Sequence, residues 1–319
     1  MCNPSFRACA KALSSTWNFE MPPNATDRSP TPLFSVLITV YNDWDTLPGC
    51  LRAIGEQVDP PSFEVVVIDD GSKEAAPESV RAWQDSYALN IIREPHAGIP
   101  AGRNRGVRES KGEILLFTDA DCRLDSNCLS ELAQAIAQSP QHSCFQLHLA
   151  GDCSTLLGRA EELRVIALQD QTLLPDGRIR LLNTAGFAIR RSHPSIQEGP
   201  FDPTALRGED TLLQASLMQN GELPLFVPAA KVRHSVSLSP VECLRKDLRS
   251  GWLDAITFKA ISAKGVRIRM SNRDRIRMLY STWKMAGQHS LGRTAWAVLI
   301  TRQLVERSVT LLYHCLPGK

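Results

Sequence analysis

Two carboxylates separated by a single residue, Asp119 and Asp121, follow the apolar run ILLFT at 114–118. Such a run predicts a buried strand, and acids at its end are unfavourable unless a cation meets them. A D-x-D pair just past a strand can hold a hard cation, Mg²⁺ or Mn²⁺, which also takes water and phosphate oxygens. On the residues alone, a turn with two solvated acids is the simpler interpretation.

Polar residues also follow other predicted strands. FSVLITV at 34–40 is followed by Tyr41, and FEVVVI at 63–68 is followed by Asp69 and Asp70. Because the carboxyl ends of parallel strands meet at one edge of a sheet, we expect these residues and the D-x-D pair to converge. In open α/β sheets that edge is where ligands bind.

The elements that position these residues alternate along the chain. Between the first two strands, Leu47, Cys50, Leu51 and Ile54 have the spacing of one helix face. Strand, helix, strand and helix then repeat, with strands apolar throughout. This order predicts an α/β fold with a mostly parallel central sheet covered by helices on both faces.

The charge of the chain is unevenly distributed. The whole chain has 36 Lys and Arg against 34 Asp and Glu, but Val241–Lys319 has 15 against 5. A basic segment of this kind suits an anionic phospholipid surface or a phosphate-bearing substrate. A solvated basic helix face explains it equally well. We expect no nucleic-acid partner.

Cysteine usage and hydropathy indicate the compartment. The nine cysteines include no C-x-x-C pair, which favours reduced thiols in a cytosolic protein over a zinc site or a disulfide framework. The N-terminus lacks the apolar core of a signal peptide. The best apolar stretch, TAWAVLIT at 294–301, is too short to span a membrane. We therefore expect a cytoplasmic protein, with peripheral membrane attachment left open.

Four segments, in order and at coherent spacing, resemble the N-terminal half of a family 2 glycosyltransferase with the GT-A fold. They are SVLITVYND (35–43), FEVVVIDDGS (63–72), HAGIPAGRNRGV (96–107) and EILLFTDADC (113–122). The resemblance implies a Rossmann-like GT-A sheet and inverting sugar transfer from a nucleotide-sugar. A Rossmann dehydrogenase is excluded because no G-x-G-x-x-G follows the first strand.

The resemblance also implies roles for residues on the donor side. Asp70 would accept a hydrogen bond from a uracil ring, for which a carboxylate is suited. Asp119 would lie near the ribose and the metal, and Asp121 would be the direct metal ligand. The remaining donor-side residues would line the base or close over the base and diphosphate: Thr39, Tyr41, Gly98, Arg103 and Asn104. Arg103 could equally be a solvent-facing helix residue.

On the acceptor side, RGEDTLL at 207–213 resembles the family's E-D motif. Asp210 would be the catalytic base and Glu209 would position its neighbours, although acids also favour any helix N-terminus. In NTAGFAIRRS (183–192), Gly186 would let the backbone approach the donor sugar. His234 would complete the metal shell or contact the diphosphate, although a lone histidine is more often structural.

These features together predict an organisation and a function. We expect a flexible leader at 1–31, a catalytic domain at 32–238 and a basic helical extension at 239–319. The catalytic domain would comprise a nucleotide-binding half (32–125) and an acceptor half (126–238). The expected reaction transfers a sugar from a nucleotide-diphosphate donor, UDP-linked, to a glycan or lipid-linked acceptor with Mn²⁺ or Mg²⁺.

Two alternatives concern the mode of action. No Q-x-x-R-W follows Asp210, which favours a single addition over processive polymerisation. The chain could instead be a non-catalytic nucleotide-sugar-binding subunit of a glycan synthesis complex. The presence of Asp210 together with Asp119 and Asp121 disfavours that alternative.

Overall fold

The computed structural model describes residues 31–151, 155–197, 199–234, 239–263, 272–288 and 292–315. Residues 1–30 of the predicted leader lie outside these ranges, and the predicted domain boundaries stay predictions. The strands are β1 (Phe34–Val40), β2 (Phe63–Asp69), β3 (Leu89–Arg93), β4 (Ile114–Asp119), β5 (Cys122–Leu124), β6 (Cys144–Gly151), β7 (Phe187–Arg190) and β8 (Leu225–His234).

Helices separate most of these strands, and two short 3₁₀ helices, Ala82–Asp85 and Thr184–Gly186, supplement them. The α-helices are α1 (Leu47–Gly55), α2 (Glu78–Arg81), α3 (Ile99–Glu109), α4 (Cys128–Gln138), α5 (Leu156–Thr172), α6 (Pro194–Gln197), α7 (Glu209–Gln219), α8 (Pro240–Ala263), α9 (Asn272–Ala286) and α10 (Gly292–Cys315).

The described strands form one sheet in the order β3-β2-β1-β4-β7-β6-β8-β5. The first four are parallel. β7 runs antiparallel to both β4 and β6, β8 is parallel to β6, and β5 is antiparallel to β8. The sheet is therefore mixed, because β7 and β5 each run antiparallel to the strands with which they pair.

The sheet is covered on both faces, as its apolar strands predict. Val36 and Ile38 of β1 pack in the apolar cluster that contains α1, while Leu37 belongs to a second cluster. Successive strand residues point to opposite faces, so both faces of β1 are buried. Burying each such side chain contributes about 1.5–3 kcal/mol. These two clusters hold the carboxyl ends of the strands in fixed positions.

The C-terminal helices pack on the rest of the chain. Ala160 and Leu163 of α5 share an apolar cluster with Ala286 at the end of α9 and with Leu299 of α10. A second small cluster places Ile261 of α8 against α7. The basic extension thus packs against the domain. Within the described part of the chain, no helix is both long and apolar enough to cross a membrane.

Candidate active site

The two acids of the D-x-D pair lie at the carboxyl edge of the sheet. Asp119 ends β4, and Asp121 lies in the turn before β5. Because β5 pairs with β8, Cys122 is opposite His234, which places Nε2 of His234 3.0 Å from Oδ2 of Asp121. The side chains of Asp119 and Asp121 are 40% and 29% exposed. They therefore line an open rim.

The donor atoms at this rim fit a hard cation. Asp119, Asp121 and Cys122 each place one ligand atom within 4.8 Å of the others. Burial raises the pKa of the Cys122 thiol well above its ordinary value. Mn²⁺ and Mg²⁺ prefer oxygen ligands. The two carboxylates would therefore hold the cation, and the thiol would not.

His234 helps to keep Asp121 ionised. Burial by itself raises the pKa of Asp121, but the hydrogen bond and charge of His234 outweigh it, so the pKa is lowered. Burial likewise opposes protonation of His234, yet Asp121 raises its pKa. The structure therefore shows His234 as a partner of Asp121. Its role as a metal ligand stays a prediction.

Arg103 connects the donor-side acids with α7. Its Nη2 lies 2.9 Å from Oδ1 of Asp119, and its Nη1 contacts Oε1 of Glu209. The ring of Phe201 lies 5.5 Å from the guanidinium carbon. Burial would lower the pKa of Arg103, but the charges of Asp119, Glu209 and Asp210 outweigh it and raise the pKa. Arg103 is buried, so the solvent-facing alternative is wrong.

The start of α7 holds the predicted catalytic base. The preceding Gly208 has φ 72°, and a Cβ there would lie 2.8 Å from Cγ2 of Thr257, so only glycine fits this turn. Burial, and then the neighbouring charge of Glu209, raise the pKa of Asp210 to about 6, against the effect of Arg103. A carboxylate with this pKa is ionised at neutral pH and can accept a proton.

The ends of β1 and β2 form a second part of the rim. The rings of Tyr41 and His96 stack with their centroids 4.2 Å apart, and Tyr41 is 48% exposed. The buried Asp70 accepts hydrogen bonds from the backbone N–H groups of Ala97 (2.7 Å) and Gly98 (3.0 Å). It also lies 2.9 Å from Nδ1 of His96. The result is an exposed aromatic surface of a kind on which a base can stack.

Two predicted nucleotide-contacting residues make mainly structural contacts. Asn104 donates to the carbonyl of Phe201 at 2.7 Å and accepts from its N–H at 3.1 Å. Asn104 therefore anchors the backbone of Phe201, whose ring packs on Arg103. Thr39 packs against α3, where a Cβ on Gly102 would lie 2.6 Å from its methyl group. Contact of either side chain with a nucleotide stays a prediction.

The structure gives a packing reason for glycine at position 186, and the predicted approach of a donor sugar stays a prediction. A Cβ there would lie 2.9 Å from Cδ2 of Leu149 and 3.3 Å from Cβ of Leu147 and Cγ2 of Val232. Core side chains of β6 and β8 therefore fill this space, and close approach of a donor sugar is not needed to explain the glycine.

Sequence reasoning also missed three residues at the rim. His96 begins the segment 96–107, but its stacking on Tyr41 depends on the tertiary fold. Phe201 carries no motif that could have identified it. The charge of Lys246, on α8, lowers the pKa of Asp121. In the sequence, only the position of Lys246 within the basic extension indicated that it could act on an anionic site.

A comparison with protein families gives the class of this chain. The model of glycosyl transferase family 2 matches residues 35–194, which is half of the chain. The chain belongs to that family. The matched segment contains the four motifs as well as the predicted Gly186, while α7 with Glu209 and Asp210 lies beyond it.

Individual relatives are similar over shorter segments. Glycosyltransferase AglE of Haloferax volcanii is 40% identical over 97 residues, 30% of this chain and 32% of that protein. A dolichol-phosphate mannosyltransferase of Pyrococcus furiosus is 27% identical over 103 residues, 32% of this chain and 29% of that protein. The similarity thus spans about a third of these relatives.

Solved structures share the fold over nearly the whole chain. Mannosyltransferase PcManGT from Pyrobaculum calidifontis, in complex with GDP-Man and Mn²⁺, has a TM-score of 0.60 and 18% identity, covering 93% of this chain and 91% of that one. S. aureus TarS 1-349 in complex with UDP has a TM-score of 0.53 and 19% identity, covering 88% and 91%. The predicted GT-A fold is confirmed, with a mixed sheet.

Proposed function

We propose that this chain is an inverting glycosyltransferase that moves a sugar from a nucleotide-diphosphate donor, UDP-linked, to an acceptor hydroxyl. One observation carries the proposal. A single guanidinium, that of Arg103, contacts Asp119 of the D-x-D pair and Glu209, the neighbour of Asp210. Acids suited to a cation and an acid suited to a base are thereby held around one rim.

The donor would bind across the strand ends. Its base would stack on the exposed pair of Tyr41 and His96, next to the carboxylate of Asp70. Asp119 and Asp121 would hold Mn²⁺ or Mg²⁺ at the diphosphate. The cation, when bound, neutralises charge that develops on the leaving diphosphate. Support comes from the oxygen donor set and from structural neighbours whose complexes contain nucleotides, with Mn²⁺ in one of them.

Asp210 would serve the acceptor. Its carboxylate takes the proton of the acceptor hydroxyl while that oxygen bonds to the anomeric carbon and the bond from this carbon to the diphosphate oxygen breaks. Attack from the face opposite the leaving group inverts the anomeric configuration. The raised pKa of Asp210, about 6, supports this role, because a general base works best with a pKa near the working pH.

The acceptor and the location are proposed on a different basis. The basic extension, with 15 Lys and Arg against 5 Asp and Glu, supports attachment to the cytoplasmic face of an anionic membrane. We therefore propose single additions to a glycan or lipid-linked acceptor in envelope glycan or glycolipid synthesis.

Thermal unfolding of the full chain with nucleotide sugars and Mn²⁺ or Mg²⁺ tests the donor site. At a hundredfold excess over Kd, a donor should stabilise the protein by about 2.7 kcal/mol. Asp121→Asn should abolish the metal-dependent part of this shift, and the matched control Asp125→Asn, after β5, should retain it. A shift that persists in Asp121→Asn would refute the metal assignment.

Turnover distinguishes an enzyme from a binding subunit. With Mn²⁺ and the stabilising donor, the wild-type chain should slowly hydrolyse the sugar nucleotide, with water replacing the acceptor. Binding without hydrolysis, and without transfer to any glycan or lipid fraction, would favour the non-catalytic alternative.

A further inference from the structure

One face of α9 combines apolar and basic side chains in contact with solvent. Its exposed apolar residues are Ile276, Tyr280 and Trp283, at spacings of four and three residues. This spacing aligns them along one side of a helix. Basic residues flank them at exposed positions. We define the α9 face as Arg273, Ile276, Arg277, Tyr280, Trp283 and Lys284.

The apolar residues of the α9 face are exposed to solvent over much of their surface. Ile276 is 67% exposed, Tyr280 71% and Trp283 43%. The opposite side of α9 is already used for packing, since Met278 and Thr282 are buried. An exposed apolar stripe with charged residues along its edges is typical of an interaction surface.

The aromatic anchor of this face is held in place. The ring of Trp283 meets that of Trp296 edge-on with centroids 4.8 Å apart. The guanidinium carbon of Arg293 lies 5.3 Å from the centroid of Trp283. Trp296 is itself fixed by a hydrogen bond of 3.1 Å to Oγ1 of Thr282. Since the indole is already ordered, its insertion into a partner loses little conformational entropy.

The charge of the α9 face selects the partner. Arg273, Arg277 and Lys284 border the apolar stripe, and Arg293 lies over its tryptophan. The nearby Asp274 lies 4.0 Å from Arg277, and the six residues of the face itself include no acid. Trp and Tyr favour the boundary between water and lipid, and a basic amphipathic helix with such residues lies in the plane of an anionic membrane.

The location of α9 suits an acceptor carried by a membrane. The end of α9, at Ala286, packs on Ala160 and Leu163 near the start of α5. The strand before α5, β6, ends at Gly151, whose partner in β8 is His234. The α9 helix therefore packs on the part of the fold that adjoins the rim with Asp121.

We propose that the α9 face docks on an anionic phospholipid surface and holds the rim at the membrane. The inference rests on the membrane attachment contained in the proposed function and assigns it to one surface. Two effects act together at the membrane. The apolar side chains insert among the lipids, namely those of Ile276, Tyr280 and Trp283. The basic side chains are attracted to the anionic headgroups, namely those of Arg273, Arg277 and Lys284.

The test is flotation of the full chain with vesicles of phosphatidylcholine alone or with about one third phosphatidylglycerol. The wild type should bind the anionic vesicles and release them as salt rises, because screening weakens the attraction. Each basic residue contributes a factor of about five to the partition constant. We therefore expect a decrease on the order of a hundredfold in the triple variant Arg273→Glu, Arg277→Glu and Lys284→Glu. Combined Ile276→Ser, Tyr280→Ser and Trp283→Ser should lower the constant at least about tenfold.

The matched control makes the same charge change elsewhere. Arg52→Glu, Arg108→Glu and Lys111→Glu alter three exposed basic residues outside the extension, and should reduce the binding much less. Equal loss in this control, or equal binding of neutral vesicles, would overturn the assignment. So would a light-scattering result in which the α9 face mediates a dimer and vesicle binding is unchanged by its variants.

A separate readout distinguishes this inference from the proposed function. The metal-dependent thermal shift with a nucleotide sugar should be unchanged in both α9 variants, which also shows that they fold. Loss of vesicle binding with this shift intact supports the docking face. A wild type that shows the donor shift but binds no vesicles would overturn the docking inference and the proposed membrane attachment, and would leave the proposed sugar transfer standing.

Discussion

The guanidinium of Arg103 lies 2.9 Å from the carboxylate of Asp119 and is buried while making that contact. The same group contacts Glu209 at the start of α7. One cation thus joins the end of β4 to a helix that follows it by about 90 residues. It offsets part of the repulsion between acids that would bind a metal and acids that would face an acceptor.

Replacing Arg103 by Gln should therefore weaken the fold as well as the site. Removing one partner of a buried ion pair leaves the other charges uncompensated and costs about 3–5 kcal/mol. The partial exposure of Asp119 places the expectation near the lower end, about 3 kcal/mol. Urea unfolding followed by circular dichroism measures this value.

The control for that variant lies on the same helix. Arg105 pairs with Glu94 and Glu109, each at 3.0 Å, and its side chain is 36% exposed. Arg105→Gln should cost less than about 1 kcal/mol, as solvent-exposed pairs do. Equal destabilisation by the two variants would contradict the bridging role of Arg103.

Asp210→Asn should separate turnover from donor binding. Loss of a general base lowers kcat by about 10²–10⁴-fold, while the metal-dependent thermal shift with donor should persist. In the wild type, kcat should fall as the pH drops below about 6, the pKa of Asp210, because the protonated carboxyl cannot accept the acceptor proton. An unchanged kcat in Asp210→Asn would remove this residue from the mechanism.

Asp210→Asn should lower kcat but raise the stability of the fold. Because the folded protein raises the pKa of Asp210 from 3.8 to about 6, the folded state binds more protons than the unfolded state between these values. Ionised Asp210 therefore destabilises the fold as the pH rises through this window. Asp210→Asn should be more stable than the wild type above pH 6 and should lose that advantage near pH 4, as measured by melting temperature against pH.

Glu209→Gln should move the pH profile. The charge of Glu209 raises the pKa of Asp210, and that of Arg103 lowers it. Without Glu209, the acid limb of kcat should shift to lower pH, because the remaining arginine favours the ionised base. Glu131→Gln, on α4, is a control that should leave the limb in place. A shift to higher pH would contradict this account of the site.

Local patterns explain which parts of the fold were predictable. The apolar runs before Tyr41, Asp70 and Asp119 indicated strands, because both faces of a covered parallel sheet must be apolar. The structure brings the acids at their ends to one edge. β5 was missed since its three residues, Cys122–Leu124, are too short to show a period and depend on pairing with β8.

Contacts between distant residues could not be read from the sequence. Tyr41 and His96 are 55 residues apart and follow β1 and β3, which are separated in the sheet by β2. They stack because the segment after β3 lies against the end of β2, where His96 contacts Asp70. Gly186 was correctly noted as a position for close approach, but its neighbours are core side chains of β6 and β8. Which atoms lie close to a glycine depends on tertiary packing, and the local sequence pattern does not determine that packing.

Two of the C-terminal helices, α8 and α10, should be fixed to each other by a buried ion pair. Arg302 of α10 donates from Nε and Nη2 to Asp247 of α8 at 2.9 and 2.8 Å, and Asp247 is 1% exposed. Arg302→Met leaves this carboxylate unpaired and should destabilise the protein by about 3–5 kcal/mol in urea unfolding. Arg307→Met, an exposed site on the same helix, should be nearly neutral. If both variants behave alike, the pair does not fix the helices.

Acid should loosen the same helices through Glu161 of α5. Burial raises its pKa, but Arg164 and Arg302 outweigh burial and lower the pKa from 4.5 to about 2. The ionised carboxylate thus contributes stability that is fully present above pH 4.5 and is lost as the pH falls toward 2, on the order of 3 kcal/mol. Glu161→Gln should therefore be less stable than the wild type at pH 7, and the difference should shrink steadily below pH 4.5. Chemical unfolding at a series of pH values measures this convergence, and parallel curves for the two proteins would show that Glu161 does not link α5 to the C-terminal helices through its charge.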